Sequence, residues 1–222
     1  METEAKFHVM DPSVFKSLVA LSHLGPYTLQ VVPQAEDQLN TYYDTADGRL
    51  RSAYYGLRLR EVEGNSVVTL KGPGWVEGGI HQRGEWEVEA QDYDPKTWPA
   101  SEVKDKVMNL IGERPLQPFC TITTNRQHLL AIRHGQAVAE ISLDSSTVSV
   151  GHLQESFYEV EIELILVGNR SDLDVLMAAL QAQNMPLMLE NRSKLEHGLA
   201  LLDQSRRDNK SEDRTTSGPA SS

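Results

Sequence analysis

Glu2-Thr3-Glu4-Ala5-Lys6, in a chain of 222 residues, sets a charge at every second position. Successive side chains of a β-strand point to opposite faces, so Glu2, Glu4 and Lys6 project together. The same period returns at Arg58 and Arg60, at Thr69 and Lys71, at Glu85, Glu87 and Glu89, at Glu140, Ser142 and Asp144, and at Glu159, Glu161 and Glu163. In the later runs the intervening positions are apolar, with Leu57 and Leu59, Val68 and Leu70, Ile141 and Leu143, and Val160, Ile162 and Leu164. Such a sheet has one oily face and one face carrying acids and bases from many strands.

On an open sheet the charged face would meet water, where cross-strand pairs contribute a few tenths of a kcal/mol to about one. Three glutamates in a row repel one another there and gain little from a single partner strand. Closing the sheet places the charges around a lumen, turns the oily face toward helices and removes the exposed edges. The expected fold is therefore α+β: a closed antiparallel barrel of about eight strands with helices packed outside it. A lumen holding both kinds of charge can bind divalent cations through its carboxylates and a polyanion through Lys and Arg.

The rest of the chain supplies the remaining elements. Asp11 and Pro12 open a helix striped by Val14, Phe15, Leu18 and Val19 that ends near Gly25. A meander is expected over Thr41 to Thr45, Tyr55 to Val62 and Val67 to Lys71, with turns at Asp47-Gly48 and Gly64-Asn65. Gly72 to Gly79 lacks the spacing and the Lys-Ser/Thr ending of a phosphate-binding loop and reads as a hairpin loop. A strand from His81 to Ala90, a helix from Ser101 to Ile111 stopped by Gly112, and strands near 119–132, 137–150 and 157–167 follow. Ser171 with Asp174 and Ser193 with Glu196 read as capping pairs, each opening an apolar-striped helix. From Gln204 onward no large apolar side chain occurs, so residues 204–222 are expected to form a disordered tail behind one domain over 1–203.

Composition sets limits on function. A formal net charge of −11 argues against a nucleic-acid surface. An anionic ligand must then meet bases gathered internally, with metal ions offsetting the remainder. The single cysteine, Cys120, excludes an internal disulfide, suits a reducing compartment and reads as a buried small hydrophobe. With no signal-like N-terminus and no apolar run near the roughly 18 residues of a membrane span, a cytoplasmic protein with no membrane contact is expected. The 7 histidines show no metal-ligand spacing, and neither His-Glu-x-x-His nor a nucleophile elbow is present.

In order and spacing, Glu2-x-Glu4-x-Lys6, Arg58-x-Arg60, Thr69-x-Lys71, Glu85, Arg126, Asp144, Glu159-x-Glu161-x-Glu163 and Ser193-Lys194 resemble the CYTH, or triphosphate tunnel metalloenzyme, superfamily. Leu39-Asn40-Thr41-Tyr42-Tyr43-Asp44-Thr45 and Gly78-Gly79-Ile80-His81-Gln82-Arg83 look most like its bacterial inorganic triphosphatases. Many of those continue into a helical, histidine-rich CHAD domain, which this sequence is read as lacking. The resemblance implies metal-dependent hydrolysis of tripolyphosphate to pyrophosphate and phosphate inside the tunnel. It implies Mg²⁺ or Mn²⁺ held by Glu2, Glu4, Glu159, Glu161 and Glu163, hard oxygen donors suited to those ions. Lys6, Arg58, Arg60, Lys71, Arg126 and Lys194 match the bases that clamp the triphosphate. Lys6, Glu4 and Glu161 are the expected catalytic residues, with Lys6 either orienting or deprotonating the attacking water. Glu85, Glu87 and Asp144 are expected in support.

Two alternatives stand beside that expectation. One is a hydrolase or cyclase acting on an organic triphosphate, such as thiamine triphosphate or a nucleoside triphosphate. The other is a polyphosphate-binding module without turnover. The expected partner is a small-molecule triphosphate, and homodimer formation is left open.

Overall fold

The computed structural model describes residues 1–165 and 167–216, the last eight of these as backbone only. In chain order the elements are β1 (Glu2–Val9), α1 (Ser13–Val19), β2 (His23–Leu24), β3 (Tyr27–Val31), β4 (Glu36–Thr45), α2 (Arg49–Ser52), β5 (Gly56–Val62), β6 (Asn65–Glu77) and β7 (Ile80–Glu89). There follow α3 (Glu102–Ile111), β8 (Leu116–Arg133), β9 (Gln136–Val150), β10 (Leu153–Leu164), α4 (Arg170–Gln181), β11 (Leu187–Leu189) and α5 (Lys194–Thr216).

Eight strands close the expected barrel in the order β8-β4-β5-β6-β7-β1-β10-β9, with β9 returning to β8, and every pair is antiparallel. β8 is long enough to serve twice. Its first half pairs with β4, while the half from Leu129 to Ile132 pairs with β3 of the β2–β3 hairpin. β11 adds to β1 beyond the stretch that β7 occupies.

The alternation sorts as the pattern requires. Leu57, Leu59, Val68 and Leu70 face outward and pack on Trp98 and on Val103, Val107 and Ile111 of α3. Ala5, Phe7, Ile141, Leu143, Val160 and Ile162 pack on Val14 and Leu18 of α1 and on Leu173, Leu176 and Leu180 of α4. Burying each such side chain stabilises the fold by roughly 1.5–3 kcal/mol, so the helices hold the barrel wall rather than decorate it.

α5 does something different. Cys120, Ile122, Val148, Val150 and Phe157 share strand parity with the lumen charges, and they form one cluster with Tyr42, Leu195 and Leu201. α5 therefore covers the inward face of one end of the barrel, and that part of the lumen is apolar. Contact is close: a Cβ at Gly198 would stand 2.6 Å from Cys120 Sγ, and one at Gly56 would stand 2.5 Å from Leu195.

Several expectations are corrected. Gly72 to Gly79 is not a loop: β6 runs on to Glu77 through a bulge between Lys71 and Gly74, and the turn is confined to Gly78 and Gly79, both at positive φ. Pro73 has no N–H to give the ladder, and the bulge absorbs that defect. The cap of α4 is Asn169 with Asp172, one pair earlier than Ser171 with Asp174. The Ser193–Glu196 box is present, with Glu196 accepting from the Ser193 N–H at 2.6 Å. From 204 the chain continues as helix to Thr216, because its polar residues are helix-compatible and the sequence holds no Gly or Pro before Gly218. Residues 217–222 of the expected disordered tail lie outside the described residues.

Candidate active site

Strand register brings the charges of distant segments together. On one side of the barrel Glu4 faces Glu163 and Lys6 faces Glu161 across β1 and β10. Glu163, Glu161 and Glu159 in turn face Glu140, Ser142 and Asp144, and Asp144 faces Arg126. On the other side Thr69 and Lys71 face Glu87 and Glu85, and Glu2 faces Arg83. These strands enclose a cavity of about 370 Å³. Every expected site residue lines it except Asp144 and Glu159, which continue the same inward parity but have no solvent exposure.

The charges form two groups of opposite character. In the first, Asp144, Glu159 and Glu161 offer oxygens within 4.8 Å of one another. Three cations already answer them. Lys194 Nζ lies 2.8 Å from Asp144, 2.7 Å from Glu159 and 2.7 Å from Glu161. Arg126 donates to both oxygens of Asp144, at 2.7 and 2.5 Å, and to Glu161 at 2.7 Å. Lys6 donates to Glu161 and lies 3.2 Å from Glu4. Burial works against the charged form of Glu161, but Lys194, Lys6 and Arg126 outweigh it and hold the carboxyl well below its ordinary range. Burial likewise opposes the Lys6 charge, and Glu161 and Glu4 overcome it and raise the ammonium. Lys6 is thus a cation that holds its proton.

In the second group, Glu2, Glu85 and Glu163 offer oxygens within 4.8 Å of one another. Lys71 reaches Glu2 at 2.6 Å and Glu85 at 3.3 Å, and Arg83 bridges Glu2 and Glu4 at 3.0 and 3.1 Å. Burial raises Glu2, yet Lys71 and Arg83 bring it down to about 2. No ion pair or hydrogen bond reaches the Glu163 carboxylate among the described residues, and burial with the nearby Glu2 and Glu4 charges pushes it up to about 7. A cluster of hard oxygen donors with one unpaired acid fits a divalent cation, whereas the first group is neutralised by protein cations. Of the five expected metal ligands, Glu2 and Glu163 stand with Glu85 in the second group, Glu159 and Glu161 stand with Asp144 beside Lys194 in the first, and Glu4 lies between Lys6 and Arg83.

The bases present free donors to the same space. The buried Nε atoms of Arg58 and Arg60 have no hydrogen-bond partner among the described residues. Such groups cost free energy unless a ligand or water satisfies them. Sequence reasoning missed Arg83, which continues the Glu85 alternation two residues earlier. It also missed Glu36, Gln38 and Asn40, which alternate ahead of Thr41, and His128, two residues beyond Arg126.

A second cavity, about 530 Å³, shares Gly56, Lys71, Arg83, Ser193 and Leu195 with the first. Its wall is mainly apolar and includes Tyr54, Tyr55 and Trp75.

Comparison with known proteins places this architecture. A family model described as the CYTH domain matches residues 1–199. An inorganic triphosphatase of Haemophilus influenzae is 28% identical over 141 residues, covering 60% of this chain and 37% of the relative. The Bacillus subtilis protein YjbK, named provisionally as a triphosphatase, is 30% identical over 131 residues, covering 57% of this chain and 62% of its own. The chain thus spans less than two thirds of the length of either relative. Among solved structures, HpAC1 from Hippeastrum, described as having a dominant triphosphatase activity, aligns with a TM-score of 0.65 at 21% identity over 90% of this chain and 96% of its own. The PH1819 protein of Pyrococcus horikoshii OT3 aligns with a TM-score of 0.56 at 20% identity over 90% and 99%. At those identities the structural likeness shows the fold alone.

Proposed function

The chain belongs to the CYTH domain family, and from that premise we propose that it is a metal-dependent inorganic triphosphatase, cleaving tripolyphosphate to pyrophosphate and phosphate in the barrel lumen. The observation that carries this reading is the pair of Nε donors of Arg58 and Arg60 that have no partner among the described residues, set in one cavity with Lys6, Lys71, Arg126 and Lys194. These six cations, with Arg83 as a seventh, around a cavity of about 370 Å³ suit a compact ligand with many anionic oxygens.

Each residue then has a task. Arg58, Arg60 and Lys71 hold phosphate oxygens from one wall, and Lys6, Arg126 and Lys194 from the other. Glu161 and Glu4 keep those cations charged and aimed, so their part is positional. Lys6, held protonated, contacts phosphate rather than removing a proton from water. Glu2, Glu85 and Glu163 would hold Mg²⁺ or Mn²⁺, which when bound supplies Lewis-acid charge and a more acidic water. In the reaction a water oxygen bonds to the terminal phosphorus while the bridging P–O bond opposite it breaks. The buried Cys120, whose thiol burial pushes up to about 12, suits the cytoplasmic setting we assign.

The aromatic cavity favours a second reading, in which the cleaved triphosphate carries an organic group that rests beside Tyr54, Tyr55 and Trp75. Phosphate release from tripolyphosphate, ATP and thiamine triphosphate, with Mg²⁺, with Mn²⁺ and with excess chelator, tests both. Turnover fastest on tripolyphosphate, abolished by chelator and by Glu4→Gln, is the expected result. Faster turnover of an organic triphosphate would replace it with the second reading.

A further inference from the structure

His128 projects from β8 into the cavity, two residues beyond Arg126, and 12% of its side chain is exposed. Its Nδ1 lies 2.8 Å from a Glu140 oxygen, with Ser142 Oγ at 3.5 Å. The far ring nitrogen is differently placed. Nε2 is buried with no hydrogen-bond partner among the described residues, and its nearest charged neighbour is Glu36 at 3.4 Å. A carboxylate on one nitrogen fixes the ring and leaves the other nitrogen for a ligand, the arrangement by which buried histidines are aimed in hydrolases and metal sites. Glu36 carries 39% side-chain exposure and has room to yield to an incoming anion.

We propose that His128 is a substrate-contacting residue whose Nε2–H donates to a phosphate oxygen, and that Glu140 is the positioning residue that fixes Nδ1. The inference rests on the triphosphatase reading for the identity of the anion. The contact requires the imidazolium, since a neutral ring donating through Nδ1 has only a lone pair at Nε2. The groups facing the ring favour that form. The hydrogen bond that His128 donates to Glu140 raises the imidazole above its usual value, burial and Arg126 oppose this, and Glu36 adds to it. Across the next strand, Glu161 faces Ser142 and Glu163 faces Glu140. The phosphate contact is therefore present below the folded value, which is raised above the ordinary imidazole range, and lost as the pH rises through it.

The test is the pH dependence of tripolyphosphate turnover by the Mg²⁺-loaded protein, for wild type, His128→Gln, His128→Asn and Glu140→Gln. Taking the ratio of variant to wild type cancels the titration of tripolyphosphate itself. A charged hydrogen bond corresponds to a change of about tenfold or more. The expected result is a KM about tenfold higher in both His128 variants near pH 6, converging with wild type near pH 9, while kcat changes much less. Glu140→Gln should move the rise in wild-type KM to lower pH, because the acceptor holding the proton is gone. Equal KM at every pH, or an equal loss of kcat at every pH, would overturn the assignment. Calorimetric titration with tripolyphosphate separates the two readings. Binding without turnover, with a His128-dependent pH profile, would remove the triphosphatase and keep the contact, whereas a pH-independent ratio would remove the contact.

Discussion

Lys194, in the first turn of α5, holds its Nζ 2.7 Å from Glu159 and 2.8 Å from Asp144, two carboxylates with no solvent exposure. One side chain thus pairs with the two deepest acids of the barrel, one of them shared with Arg126, and ties the helix to it. Removing one partner from a buried ion pair costs about 3–5 kcal/mol, mostly the penalty of the charge left behind. Lys194→Met should lower the unfolding free energy in urea by that amount, and adding Glu159→Gln should restore part of it. A loss below about 1 kcal/mol would mean that water reaches these carboxylates.

Glu163 links stability to pH and metal. Its carboxyl stands at about 7 in the fold against an ordinary 4.5. Between those values the folded protein holds a proton that the unfolded chain has released, so stability in chelator falls as the pH rises through the window. The full shift corresponds to at most about 3 kcal/mol. Thermal unfolding at pH 6 and pH 8 should show this fall in chelator and its reversal by Mg²⁺. Glu163→Gln should flatten both responses, and an unchanged Mg²⁺ effect in that variant would move the metal elsewhere.

Arg83 bridges Glu2 and Glu4 at 3.0 and 3.1 Å beside the unpaired Glu163. It occupies carboxylate oxygens that a cation would otherwise engage. Replacing it with Gln should tighten Mg²⁺ or Mn²⁺ binding while raising KM for tripolyphosphate, each by about tenfold, the change expected for one charged hydrogen bond. Opposite signs for metal and anion are the point of the experiment. Weakening of both would show that Arg83 is needed for the shape of the site.

Gly198 lets α5 lie against β8, and a Cβ there would stand 2.6 Å from Cys120 Sγ. Gly198→Ala should overpack this contact and cost about 1–3 kcal/mol. Cys120 is 4% exposed and its thiol is pushed up to about 12 by burial, so in the wild type it should resist a thiol reagent at pH 8. Faster labelling in Gly198→Ala would show the helix lifting, and unchanged labelling with unchanged stability would contradict the packing described.

The barrel was legible because charge and apolarity alternate in step over at least five strands, a pattern that an open sheet satisfies poorly. The cations Arg58, Arg60 and Lys71 followed from the same parity, and Arg126 from the resemblance to the family. Pairing among the acids did not. Nothing in Glu159-x-Glu161-x-Glu163 says that Lys194, from a helix, would take the first two and leave the third beside Glu2 and Glu85. Cross-barrel partners depend on shear, which one strand's sequence does not carry. The apolar end of the lumen escaped for a related reason: Ile122, Val148 and Phe157 continue charged faces with oily residues, and only α5 explains why. The strand through Gly72-Pro73-Gly74 was hidden by residues that ordinarily mark loops.

β1 sits between β7 and β10, with Glu4 opposite both His81 and Glu163. The strand that comes first in this chain therefore finds one neighbour only when β7 (Ile80–Glu89) has been made and the other only when β10 (Leu153–Leu164) has, so ring closure must await the β8–β10 meander. During that interval an oily ribbon with a free edge would invite pairing with other chains. Glu2, Glu4 and Lys6 charge one of its faces throughout the wait, so the groups that later face the substrate first serve as a guard against misassembly.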